Sequence, residues 1–292
     1  MKVLPVLFVT VCSGCASLPS KGDLDKFGEA TAKSATVVAV AVSATSQLAS
    51  EQDEQLQAAR YARRQSYALY NLPKPKLLNR VDDAQLAIRV AALDDLKAYG
   101  QALAKAADQG TIDELETSAQ KLSSSVATLA TAVNPGMSPV VAPAIKLTGR
   151  AVSYAMADSY VRKILEIVRE TDPVIKELVQ LLKSDLVPLK DDLAVLASGY
   201  AVLRDHQLKT VRRDQTVDRA SLYNGYMAAR ADINARYAFS EAAGAIGSLL
   251  QSIYDTHHAL ISRPSDSGLA IKRFSDLAQD SAAVIEAARK GS

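Results

Sequence analysis

Apolar positions recur along this chain at intervals of three and four, and no stretch alternates apolar and polar residues over a strand's length. The cleanest run is Ile112, Leu115, Ala119, Leu122, Val126, Leu129 and Val133, a heptad seam that predicts one face of a helix. Thr111 and Glu114 stand before and inside it at capping-box spacing. A second run follows in Val161, Ile164, Val168, Thr171, Ile175, Leu178 and Leu182. Pro173 falls inside it and predicts a kink or a restart, with Thr171 or Asp172 as a local cap. Pro188 predicts a further restart, after which Leu189, Leu193, Leu196, Tyr200 and Leu203 carry the seam on from Leu186.

The remaining elements follow from breakers. Residues 29–71 hold neither Pro nor Gly, which predicts a first helix of about 40 residues. Its 36–48 portion is apolar nearly all round, and its 51–64 portion is strongly charged. Leu72-Pro73-Lys74-Pro75 ends it. A second helix is expected over 82–108, with Leu86, Val90, Leu93, Leu96 and Leu103 along one side and Gly110 behind it. Asn134-Pro135-Gly136 and Arg263-Pro264-Ser265 are the other strong breaks. Tyr223, Tyr226, Ile233 and Tyr237 predict another apolar side, and residues 269–290 a closing helix with Ile271, Phe274, Leu277 and Ile285 toward the core.

The fold class is therefore all-α: an elongated bundle of six to eight helices, several of them long, heptad-patterned and antiparallel, over residues 26–292. The polar stretches 51–64 and 204–219 have two readings. They pair as a slender two-helix extension beyond the bundle, or they are solvated faces of ordinary bundle helices.

Composition agrees with helices packed through small and aliphatic side chains: hydrophobic residues make up 48%, aromatics 5%, and there is no Trp. The net charge of +2 offers no overall attraction to nucleic acid or to an acidic membrane. No nucleic-acid partner is expected.

Catalytic groups are sparse. The three histidines are His206, His257 and His258. Asp255 and His258 share a helix face, but a carboxylate-bridged di-metal site needs such a pair from two helices, and Leu203 stands where His206 would need its acid. No metal or cofactor is expected. His257 and His258 read instead as partly exposed groups near a helix end, interacting with its dipole. Phosphate-binding, zinc-protease and serine-hydrolase signatures are absent. Asp82-Asp83, Asp94-Asp95 and Asp191-Asp192 fall at helix starts or on polar faces, as capping or solvated groups. A non-enzymatic protein with no catalytic residue is the expectation.

Eleven Tyr against four Phe is the one aromatic bias. Tyr61, Tyr67 and Tyr70 lie with Arg60, Arg63 and Arg64 at the end of the first helix, and Tyr223 and Tyr226 lie near Arg230. Tyr with Arg suits a protein contact. Tyr61, Arg64, Tyr67 and Tyr70 are thus candidate partner contacts. Amphipathic tyrosines at the margin of a helical core are the plainer alternative.

The N-terminus adds an address. Lys2 precedes an apolar run, Val3 to Val11, too short to cross a bilayer, and Cys12-Ser13-Gly14-Cys15 follows. This resembles the signal and lipobox of bacterial lipoproteins, with Cys12 where the family usually has Leu. The resemblance implies removal of residues 1–14, acylation of Cys15, and a lipidated tether over residues 15–25. Without Asp after that cysteine, it also implies sorting to the outer membrane, facing the periplasm. Both cysteines of the chain are then used, and no disulfide is available to the fold.

Together these readings predict a lipid-anchored helical interaction or scaffold protein of the cell envelope, with an envelope protein as partner. The alternative is a membrane-active protein resembling the α-helical pore-forming cytolysins, with residues 36–48 or 242–253 as the inserting element.

Overall fold

The computed structural model describes residues 18–62, 83–109, 111–133, 157–186, 188–214, 216–264 and 267–290. Among them lie eight α-helices and no strand: α1 (Lys21–Ala62), α2 (Asp83–Gln109), α3 (Ile112–Val133), α4 (Ala157–Leu186), α5 (Leu189–Arg213), α6 (Arg219–Ala243), α7 (Ile246–Ser262) and α8 (Ser267–Lys290). The all-α, multi-helix fold class is as the periodicity predicts.

The first helix starts earlier than its lack of Gly and Pro suggests. Ser20 and Asp23 close a reciprocal cap: the Asp23 amide donates to Ser20 Oγ at 3.0 Å, and Ser20 Oγ donates to Asp23 Oδ2 at 2.7 Å. Part of the 15–25 segment read as a tether is therefore helix, and Leu24 and Phe27 are already buried. Gly28 lies inside the helix because α2 leaves no room for a side chain there. A Cβ at Gly28 would meet the Gly100 carbonyl oxygen at 2.5 Å, and one at Gly100 would meet the Gly28 oxygen at 2.7 Å. The apolar 36–48 portion buries Val37, Val38, Ala41, Val42 and Leu48 and leaves Ser43 and Gln47 exposed.

Helices α1 to α4, α7 and α8 form the main bundle. Gly28–Gly100 sets α1 and α2 antiparallel; Lys105–Glu114 and Asp95–Ser125 do the same for α2 and α3. Ile112, Leu115, Ala119, Leu122, Val126 and Leu129 are all buried, as the heptads require, and Val133 packs against the core at its margin. The capping box at Thr111 gives the right start but not its hydrogen bonds. Thr111 Oγ1 is buried without a partner, and Glu114 instead holds Lys105 Nζ at 2.6 and 2.7 Å.

The expected restart at Pro173 does not occur: α4 runs through it. Pro removes one backbone hydrogen bond and crowds the preceding turn, at about 3 kcal/mol. The seam stays in register on both sides, with Val161, Ile164, Val168, Ile175, Leu178 and Leu182 buried. At about 1.5–3 kcal/mol for each such side chain, that burial outweighs the local cost. Thr171 does not cap; its hydroxyl donates back to the Ile167 carbonyl at 2.7 Å. Asp172 turns toward α7.

The polar segments build an extension from three helices rather than two. Residues 204–219 are not one helix: α5 ends at Arg213, and Asp218 caps α6 by accepting from the Ser221 amide at 2.8 Å. The helices α5 and α6 form an antiparallel hairpin, matched by Lys190–Glu241 near its base, Tyr200–Asp232 in its middle and Leu208 beside Gly225 toward its tip. The charged half of α1 supports it, with Glu51 against Arg236 and Gln52 against Gly199. Summed at 1.5 Å per residue, α1 from Lys21 to Gln52 and α5 from Gly199 to Arg213 give a path along the helices of roughly 70 Å from the first helical residue to the hairpin tip.

Candidate functional site

Two places gather chemistry, one inside the bundle and one on the extension. The inner one centres on His257. Its position, four after Ile253 and three before Leu260, puts it on the buried stripe of α7. It is 0% exposed, so the reading of a partly exposed helix-end histidine is overturned. That spacing was visible in the sequence; the partners, 85 and 158 residues away, were not.

Asp172 of α4 is the hub. Oδ1 accepts from His257 Nδ1 and Oδ2 from His258 Nδ1, both at 2.9 Å. On the far side of the ring, His257 Nε2 lies 3.0 Å from the Tyr99 hydroxyl of α2. With Nδ1–H donated to the carboxylate, Nε2 is left to accept from Tyr99 O–H, which fixes one neutral tautomer. Phe27 of α1 packs 5.9 Å from the imidazole, and Phe274 of α8 packs against Phe27 in turn, at 5.8 Å. His258 is the outer end, half exposed and stacked on Tyr254.

Burial sets the protonation states. It pushes His257 below the usual histidine value, against the pull of Asp172. Burial also pushes Asp172 upward, but the hydrogen bonds from His257 and His258 outweigh it and hold the carboxyl below its ordinary value. Burial raises the Tyr99 hydroxyl well above its ordinary range. The resting arrangement is a carboxylate anion between two imidazoles, with a neutral tyrosine behind. It can order helices α2, α4 and α7. Asp255, the acid paired with His258 in the metal reading, accepts instead from Gln251 Nε2 at 2.8 Å. Among the described residues no cluster of His, Cys, Asp or Glu could hold a metal.

The outer place is the extension. Arg236 is buried in α6, with Nη2 2.9 Å from Glu51 and its guanidinium 3.8 Å from the centre of the Tyr200 ring. Tyr200 donates to Asp232 at 3.1 Å. Gln52 Oε1, Gln55 Oε1, Arg204 Nε and Arg236 Nε are buried without hydrogen-bond partners in this region.

The apolar side of α6, Tyr223, Tyr226, Ile233 and Tyr237, faces outward except at Ile233, which is half-buried. Tyr223 is 64% exposed, and Tyr226, Met227 and Tyr237 are exposed with Arg230 among them. The buried face is Ala229, Arg236, Phe239 and Ser240. Spacing marks the stripe but not which of its two sides is solvated. Of the candidate contacts on α1, Tyr61 is 64% exposed. Arg64, Tyr67, Tyr70 and Cys15 lie outside the described residues.

No helix among the described residues is long and apolar enough to cross a membrane. No protein-family model matches the chain, and neither curated proteins nor solved structures give a significant match.

Proposed function

We propose that this chain is a lipid-anchored, non-enzymatic interaction or scaffold protein of the bacterial cell envelope, held through Cys15 in the outer membrane and facing the periplasm. The observation that carries the reading is the placement of Cys15 five residues before Ser20, the cap of the long first helix. A lipid there leaves the helix to run away from the membrane and to carry the α5–α6 hairpin at its far end. Exposed Tyr237 of α6 and Tyr61 of α1 then stand in reach of a protein partner. The polar groups that do cluster inside the bundle, Tyr99, His257 and Asp172, are consumed in holding one another, which supports a structural use for them.

Cross-linking in whole cells, with the anchor intact, tests the scaffold. Photoreactive groups at Tyr61 and Tyr237 are expected to capture one recurrent envelope partner. Capture of none, or the same set from a control group on the charged face of α4, would count against it.

The membrane-active alternative would require one of two buried segments to leave the core. Val38 and Ala41 in one candidate inserting segment, and Leu249, Leu250 and Ile253 in the other, are wholly buried in the shared core. Release of either would open the bundle.

A further inference from the structure

We propose that the tip of the α5–α6 hairpin docks on an anionic phospholipid surface. The whole chain carries a net charge of only +2, but charge is unevenly placed. Residues 205–230 hold five basic side chains (Lys209, Arg212, Arg213, Arg219 and Arg230) and three acidic ones, while Arg204 further down the hairpin is paired with Asp232. All three acids are occupied locally. Asp205 holds Lys209 at 2.6 Å. Asp214 accepts from the Thr216 amide at 2.9 Å and from its hydroxyl at 2.6 Å. Asp218 caps α6. Arg212, Arg213 and Arg219 are exposed at the turn and have no ion-pair partner among the described residues.

Next to these cations the hairpin exposes Val211, Tyr223, Tyr226 and Met227. Tyr226 lies seven residues into α6 from Arg219, about 10 Å along the axis. That is close to the depth of one interfacial zone of a bilayer, about 5–8 Å, where tyrosine is favoured. Cations at the turn and amphipathic rings behind it match phosphate headgroups backed by the upper acyl region.

Shape decides against a folded acidic protein. The turn of a two-helix hairpin is convex and narrow, and a specific protein interface takes about 800 Å² from each partner. A fluid lipid surface moulds to a convex tip and needs no matching concavity. With a helical path of roughly 70 Å between the first helical residue and the tip, a chain anchored at Cys15 would join two surfaces. The docking itself does not depend on that anchor.

The test uses the Cys15→Ala chain, which carries no lipid, so failure of the anchor reading leaves the result untouched. Its partition is measured on phosphatidylcholine vesicles, with and without phosphatidylglycerol. Binding is expected only with the anionic lipid and is expected to weaken as salt rises. The Arg212→Glu, Arg213→Glu, Arg219→Glu triple variant, with an unchanged melting midpoint, is expected to lose at least about tenfold in partition. Tyr223→Ala with Tyr226→Ala is expected to weaken binding less. Absence of binding, equal binding to neutral vesicles, an unaffected triple variant, or tighter capture by single-stranded DNA or cell-wall sacculi than by anionic vesicles would overturn the proposal.

Discussion

Gly28 and Gly100 face each other across α1 and α2 so closely that a methyl group on either would strike the other's carbonyl oxygen, at 2.5 and 2.7 Å. Backbone cannot step aside as a side-chain tip can. Gly28→Ala and Gly100→Ala are therefore each expected to lose about 1–3 kcal/mol through overpacking, although Ala is the better helix former. Gly225→Ala is the control. A Cβ there meets only Leu208 Cδ2, at 3.6 Å, and the change is expected to stabilise by about 0.5–1 kcal/mol. Thermal unfolding of the three variants checks the sign of each.

Stability is expected to fall as pH drops below about 6.5, through His257. Burial holds its folded value below the unfolded one, so the folded chain binds fewer protons than the unfolded chain in that range. Its contribution is complete above the unfolded value and is lost as pH falls from there through the lower folded value. Asp172, also held low when folded, adds a second loss below about 3.8. His257→Gln should be less stable near neutrality but flatter from about pH 7.5 to 5.5. A variant that keeps the full slope would remove His257 as its source.

Tyr99→Phe deletes one oxygen and leaves His257 Nε2 buried without its partner. The expected cost is about 1–3 kcal/mol. Asp172→Ala is expected to cost more, because two imidazoles lose their acceptor. Denaturant midpoints decide the order.

Arg236→Ala removes the ion pair with Glu51 and the stacking on Tyr200. The loss is expected to be about 2 kcal/mol and to be local. Hydrogen exchange should quicken in α5 and α6 while α2, α4 and α7 keep their protection. Uniform quickening would mean that the extension and the bundle unfold as one. Arg236→Lys should rescue little, since an ammonium cannot reproduce the flat stack.

The parts of the fold that were legible in the sequence are those where one repeating face meets one neighbour. The seams of α3 and α4 reach the core residue by residue because burial period and helix period coincide. Pro173 misled because its cost is local and the burial that overrides it is spread over six side chains. Gly28 hid the true start of α1, since its reason is the opposing Gly100, 72 positions on. Residues 204–219 lack Gly and Pro, yet Asp214 and Asp218 turn the chain through side-chain hydrogen bonds. His257 sits on a readable stripe, but the Asp172 and Tyr99 that make it a network are brought there only by packing. The tyrosines of α6 are legible as a stripe, but its orientation is not, because Tyr is amphipathic and Arg236, a charge, takes the inner face.

The proposed function depends on a lipid tether on Cys15, ahead of the first helix. Mass measurement of the N-terminal peptide from the membrane fraction tests it directly. The expected peptide begins at Cys15 and carries the added mass of a thioether-linked diacylglycerol. An unmodified Cys15, with residues 1–14 retained or cleavage at another position, would contradict it.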